Sequence, residues 1–202
     1  MLERFRATWT AIFAPVVRLL LRLGVSPDAV TIVGTLGVVV GALVFFPQGQ
    51  LLAGVLFITA FVFSDMIDGA MARQSGRVSP FGAFLDSTLD RLGDAAIFGG
   101  LAMYYVGPGE NAALVALALY NLTMGSVTSY ARARAEALGM QAKVGIAERA
   151  DRLVAILVMT GLADIFNVLA FIPITLAALA VASTVTVAQR VMLVRSQAQA
   201  RV

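Results

Sequence analysis

Residues 51–94 read LLAGVLFITAFVFSDMIDGAMARQSGRVSPFGAFLDSTLDRLGD. An uncharged, mostly apolar run (51–64) leads straight into Asp65 and Asp68. A polar connection carrying Arg73 and Arg77 follows. A second apolar stretch then opens with Asp86, Asp90 and Asp94 in its first turns. Five of the chain's twelve acids thus lie within thirty residues, at the ends of two segments apolar enough to enter a bilayer. Ionisable side chains at membrane depth are costly and mark functional sites by default. Asp65 and Asp68 stand at i, i+3 and Asp86 and Asp90 at i, i+4, so each pair shares one face of its helix. Four carboxylates converging from two helices repel one another unless cations sit between them. Hard divalent ions suit such all-oxygen ligands, and a two-ion site suits in-line displacement at phosphorus.

The rest of the chain places this cluster in a membrane. The sequence has 202 residues, 59% hydrophobic and only 13% charged, with mean hydropathy +0.87. Soluble chains carry roughly 25% charged residues. It has no cysteine and no histidine, which excludes thiolate nucleophiles, imidazole bases and the usual zinc sites. Acid–base or metal chemistry therefore falls to carboxylates. Segments 30–46, 51–64 (running on through Asp65 and Asp68), 81–106, 111–131, 153–163 (starting before Arg152) and 166–189 read as six spans. Short connections at 47–50, 107–110 and near Asp164 carry no Lys or Arg. All fifteen cations fall on the opposite side, which the positive-inside rule makes cytoplasmic together with both termini. The basic balance thus reports topology rather than nucleic-acid binding.

Residues 3–23 read as an N-terminal juxtamembrane helix, amphipathic with Phe5, Trp9, Ile12, Phe13, Val16, Leu20 and Leu23 at helical spacing and Arg4, Arg18 and Arg22 interleaved. An ordinary helix packed on the bundle fits the same pattern. Scattered arginines and the lack of a small-residue cleavage site argue against a signal peptide. Ser26-Pro27-Asp28 reads as a helix start. The expected fold is all-α: a polytopic membrane protein forming one domain over 1–202, with a juxtamembrane helix at 3–23 and a six-helix bundle at 26–195.

The pattern Asp65-x2-Asp68-Gly69-x2-Ala72-Arg73-x8-Gly82-x3-Asp86-x3-Asp90 meets all eight fixed positions of a known signature. By it the chain resembles the CDP-alcohol phosphotransferase family, whose members move a CMP-activated phosphatidyl or similar group onto an alcohol and release CMP. The resemblance implies that Asp65, Asp68, Asp86 and Asp90 hold two Mg²⁺ ions, Mn²⁺ being possible. It also implies that Asp90 acts as general base on the acceptor hydroxyl. Asp28, Thr31, Gly69, Ala72, Arg73 and Gly82 would shape the CDP-lipid site. A homodimer is likewise implied. Asp94 is left open: it extends the cluster, or pairs with Arg91 or Arg18.

A second cluster bears on the acceptor. SYARARAEALG (129–139) ends the fourth span, IAERADRL (146–153) opens the fifth, and Gln189-Arg190 closes the sixth. Arginines meeting from three helix ends would make a dianion pocket. Separate headgroup anchors are the alternative. The two stretches are similar to phosphatidylinositol-phosphate synthases of actinobacterial type, with Arg132 where a lysine is usual. That resemblance implies that Ser129, Arg132, Arg152 and Arg190, with Arg134 beside them, bind the phosphate of inositol 1-phosphate. CDP-diacylglycerol would be the donor and the cell membrane the location. Glycerol 3-phosphate is the competing acceptor. A membrane prenyltransferase would need a second Asp-rich motif, which does not follow Asp94, and an ion transporter would use the same acids without CMP release.

Overall fold

The computed structural model describes residues 14–76 and 79–200, with Asp65 described by its backbone alone. Every regular element among them is helical: α1 (residues 14–22), α2 (Pro27–Phe45), a 3₁₀ turn (Phe46–Gln48), α3 (Leu51–Val62), α4 (Ser64–Ser75), α5 (Pro80–Val106), α6 (Ala112–Ala137), α7 (Arg149–Ile165) and α8 (Phe171–Gln199). Most of the amphipathic segment expected at 3–23, including Phe5, Trp9, Ile12 and Phe13, lies outside the described residues. In its described part Val17 is buried, while Val16, Leu19 and Leu23 are exposed.

Among the described residues, four helical stretches are long and apolar enough to cross a membrane: Pro27–Gln48, Leu51–Ser75, Ala112–Ala137 and Phe171–Gln199. Helix α5 is not among them; it carries Asp86, Asp90, Arg91 and Asp94. Nor is α7, which has 17 residues. The boundaries also move. The second expected span is divided at Phe63, where one helix gives way to the next. The fourth runs on to Ala137, through its arginines, with Arg132 and Glu136 paired at i, i+4. The sixth starts only at Phe171 and continues to Gln199. Asn167, at φ 54°, ends the preceding turn, and the polar tail of α8 is held by a loop described below.

The helices gather into two compact units. The first comprises residues 1–41 and 56–93. There α2 turns a glycine face toward α3 and α4: a Cβ on Gly34 would fall 1.7 Å from Ser64 Oγ, and one on Gly37 would fall 2.2 Å from the Phe61 ring. Small residues let helix backbones approach closely, the usual device in membrane bundles. The opposite face of α2 exposes Ile32, Val33, Leu36, Val40, Leu43 and Val44, as a lipid-facing helix does.

The second unit comprises residues 42–55 and 94–202. Its core includes Phe46, Ile97, Phe98, Leu101, Ile156, Ile172 and Leu176. Helix α8 packs on α6 and α7. Buried Asn121 of α6 donates through Nδ2 to the Leu176 carbonyl of α8 at 3.0 Å. The loop between α6 and α7 is fastened along α8. Gln197 accepts from Gln141 N–H at 2.9 Å and donates to its carbonyl at 2.6 Å. Arg190 Nε donates to Val144 O at 2.9 Å, and Thr186 Oγ1 accepts from Ile146 N–H and Ala147 N–H.

Candidate active site

Two serine–proline helix starts and one glycine stop build the first site. Ser26 accepts from Ala29 N–H at 3.2 Å and opens α2. Ser79 accepts from Gly82 N–H at 2.9 Å and opens α5. Gly76, left-handed at φ 66°, closes α4, its N–H donating to Ala72 O. The described part of the signature's eight-residue spacer is thus a helix end and a helix start.

These starts and the face of α4 surround a cavity of about 500 Å³, within the size range of small-molecule sites. Pro27, Asp28 and Thr31 line it from α2, Asp68, Gly69, Ala72 and Arg73 from α4, and Ser79, Gly82, Ala83 and Asp86 from the start of α5. All six residues expected to shape the CDP-lipid site are therefore together, with two of the four expected metal ligands. Asp68 is buried and accepts a hydrogen bond from Thr31 Oγ1 at 2.5 Å. Burying a carboxylate requires such compensation. A Cβ on Gly69 would lie 3.3 Å from Arg73 Nη1, so the guanidinium rests over bare backbone. A Cβ on Gly82 would lie 3.3 Å from Ser79 Oγ and 3.5 Å from Asp28 Oδ1.

Three carboxylates and one guanidinium line this space, beside two helix N-termini whose N–H groups favour anions. All-oxygen donors of this kind fit a hard divalent cation shared with phosphate oxygens. Asp90 is not among the residues lining the cavity; its Oδ2 lies 3.8 Å from Arg91 Nη2. The side chain of Asp65 lies outside the described residues. Among the described residues no three acids form a closed metal-binding group. Ser79 and Ala83 were not singled out from the sequence. The repeat of Ser26-Pro27 as Ser79-Pro80 was the signal that marked Ser79.

The second site lies in the second unit, on one turn of α6. Ser129 Oγ donates to Gly125 O at 3.2 Å. The Arg152 guanidinium from α7 packs on Gly125, where a Cβ would fall 3.3 Å from Nη2. Arg190 from α8 donates through Nη1 to Thr128 O. Both arginines are buried. Three of the expected acceptor residues therefore meet here. Arg132 pairs with Glu136 at 2.9 Å, and Arg134 is exposed in the last turn of α6. Asp94 meets two arginines of α7: its Oδ1 accepts from Arg149 Nε at 2.9 Å and its Oδ2 lies 3.8 Å from Arg152 Nη2. A capping box between Glu148 and Asp151 starts α7 at Arg149, which sets both arginines on its first turn.

Residues 24–192 match the CDP-alcohol phosphatidyltransferase family. The phosphatidylinositol phosphate synthase of Cutibacterium acnes is 50% identical over 202 residues, covering 96% of this chain and 98% of that one. The crystal structure of the Mycobacterium tuberculosis phosphatidylinositol phosphate synthase with CDP-DAG bound aligns at TM-score 0.87 and 42% identity, over 91% of this chain and 94% of the other. The same enzyme in complex with manganese and citrate aligns at 0.85 and 43% identity, over 89% and 87%. With six of the eight signature residues on one cavity and the match running through both units, the chain belongs to the CDP-alcohol phosphatidyltransferase family.

Proposed function

We propose that this enzyme transfers the phosphatidyl group of CDP-diacylglycerol to inositol 1-phosphate, forming phosphatidylinositol phosphate and CMP. One observation carries the reading: the α2–α4–α5 cavity gathers Asp28, Thr31, Asp68, Gly69, Ala72, Arg73, Gly82 and Asp86 in a chain half identical to a phosphatidylinositol phosphate synthase. In this reading the capped starts of α2 and α5 and the Arg73 guanidinium bind the diphosphate of the donor. Bare backbone at Gly69 and Gly82 leaves room for it. Asp65, Asp68, Asp86 and Asp90 hold the divalent metal, as two Mg²⁺ or Mn²⁺ ions. When bound, the metal neutralises charge on the diphosphate and on the departing CMP. A relative has been solved with manganese.

Asp90 takes the proton of the acceptor hydroxyl. The hydroxyl oxygen bonds to the lipid phosphorus, and the bond from that phosphorus to the bridging oxygen breaks, so CMP leaves with that oxygen. An aspartate of ordinary pKa about 3.9 is a weak base, so positioning supplies much of the rate. Ser129, Arg132, Arg152 and Arg190, with Arg134 at the rim, bind the acceptor phosphate.

The four long apolar helices together with α5 and α7 make the six-span bundle of one membrane domain. At 27 residues α5 reaches about 40 Å, enough to cross. Both termini and the site face the cytoplasm, and the chain works as a homodimer. An acceptor panel tests the function. Purified protein with CDP-diacylglycerol and Mg²⁺ releases CMP with inositol 1-phosphate and not with glycerol 3-phosphate. The opposite preference makes it a phosphatidylglycerophosphate synthase.

A further inference from the structure

Residues 138–148 join α6 to α7 without helix or strand, and their carbonyls hold two arginines of the second site. Val144 O accepts from Arg190 Nε at 2.9 Å, and Ala147 O accepts from Arg152 Nη1 at 3.4 Å. Arg190 Nη1 also donates to Thr128 O of α6, so two separate segments grip that guanidinium by two of its nitrogens. A guanidinium is planar, and two such bonds set its tilt as well as its place. The aim of both arginines therefore depends on where the backbone of 144–147 lies.

Thr186 governs where that backbone lies. It is 0% exposed, on α8 one turn before Arg190. Its hydroxyl donates its proton to Ala182 O at 2.8 Å, which turns the oxygen lone pairs toward the loop. There Oγ1 accepts from Ile146 N–H at 3.2 Å and from Ala147 N–H at 3.3 Å. These two N–H groups stand between the two carbonyls that hold the arginines. Gly145 permits the approach. Its φ of 147° disfavours any side chain, and a Cβ there would fall 2.4 Å from Thr186 Cγ2.

We infer that Thr186 and Gly145 are positioning residues for the acceptor-phosphate site, acting through the loop carbonyls of Val144 and Ala147 on Arg190 and Arg152. Thr186 fixes the loop, the loop fixes the guanidiniums, and the preset guanidiniums bind the acceptor without first being ordered. This rests on the acceptor-phosphate reading of Arg152 and Arg190.

A merely structural role and a positioning role give different readouts. Loss of structure alone lowers the melting temperature and the amount of active enzyme but leaves both KM values in place. Loss of positioning raises the KM for the acceptor. The experiment measures CMP release by purified full-length protein in detergent, with Mg²⁺ and CDP-diacylglycerol, for Thr186→Val, Thr186→Ser, Gly145→Ala and Arg190→Gln. Valine keeps the shape and removes the acceptor oxygen. Thr186→Val is expected to raise the KM for inositol 1-phosphate about tenfold with the KM for CDP-diacylglycerol unchanged, and Thr186→Ser to stay near wild type. An unchanged acceptor KM in Thr186→Val, an equal rise in both KM values, or a serine variant as impaired as the valine one overturns the inference. Should Thr186→Val not fold, Gly145→Ala decides, since it changes an exposed loop position. It is expected to raise the acceptor KM about tenfold, and an unchanged value overturns the inference. Arg190→Gln separates the two readings. If it raises the acceptor KM while Thr186→Val and Gly145→Ala do not, the positioning role alone fails. If none of the three raises it, the acceptor-phosphate reading fails too. Should the wild type use glycerol 3-phosphate instead, the same comparison with that acceptor decides the role of Thr186.

Discussion

Thr31 Oγ1 donates to Asp68 Oδ2 at 2.5 Å, joining the second turn of α2 to the signature face of α4. The contact gives a buried carboxylate a fixed donor and so fixes its orientation. Thr31→Val keeps the shape and removes the donor. Hydrogen bonds to charged groups are worth about 1.5–3 kcal/mol, and outer-shell partners of metal ligands shift affinity roughly 10–100-fold. Thr31→Val is expected to raise the Mg²⁺ concentration needed for half-maximal CMP release by that factor, and Thr31→Ser to stay near wild type. An unchanged Mg²⁺ dependence in the valine variant would remove Thr31 from this role.

Gly82 separates stability from activity. It lies inside α5, where alanine is favoured over glycine by roughly 1 kcal/mol. Yet a Cβ there would stand 3.3 Å from Ser79 Oγ and 3.5 Å from Asp28 Oδ1, on the cavity wall. Gly82→Ala is therefore expected to melt at or slightly above the wild-type temperature while the KM for CDP-diacylglycerol rises several-fold. Gly82→Val should lose donor binding altogether. A wild-type KM in both variants would show that bare backbone at this wall is unnecessary.

The first site was largely legible in the sequence because its residues sit at fixed spacing on two helices joined by a short connection. Asp68, Gly69, Ala72 and Arg73 fall on one face of α4, and Gly82 and Asp86 on one face of α5. The division at Phe63 was not legible, because neither Pro nor Gly marks it. The length of α8 was hidden for a different reason. Its apolar run ends before Arg190, but the helix continues because Arg190 and Gln197 hold the loop at residues 141–147. The Asp94–Arg149 pair joins residues 55 apart in sequence. No local spacing announces such a contact.

Asp164 ties the end of α7 to the start of α3: its Oδ2 accepts from Leu52 N–H at 2.8 Å. One of the four N–H groups that a helix start leaves unpaired is thus satisfied by another helix. Losing a cap of this kind costs about 1 kcal/mol. Asp164→Ala is expected to lower the melting temperature of the detergent-purified protein by a few degrees. Asp164→Asn, which keeps an acceptor oxygen, should lower it less, and neither variant should change acceptor KM. Equal melting temperatures for wild type and Asp164→Ala would show that water caps this end as well.

Asp90 offers the sharpest test of the chemistry. It lies one turn beyond Asp86 on α5 and outside the wall of the CDP-lipid cavity, with Arg91 3.8 Å away. A residue placed to take a proton, rather than to hold the donor, can be neutralised without emptying the donor site. General-base catalysis by a positioned side chain contributes typically 10²–10⁴-fold. Asp90→Asn is therefore expected to reduce CMP release by at least about a hundredfold, while Mg²⁺-dependent binding of CDP-diacylglycerol stays within a few-fold of wild type. The chain contains no histidine to substitute for the lost base. Raising the pH should accordingly restore little of the rate unless hydroxide itself takes the proton. If Asp90→Asn instead turned over at the wild-type rate, the proton would have to leave by another route, and Asp90 would drop out of the mechanism.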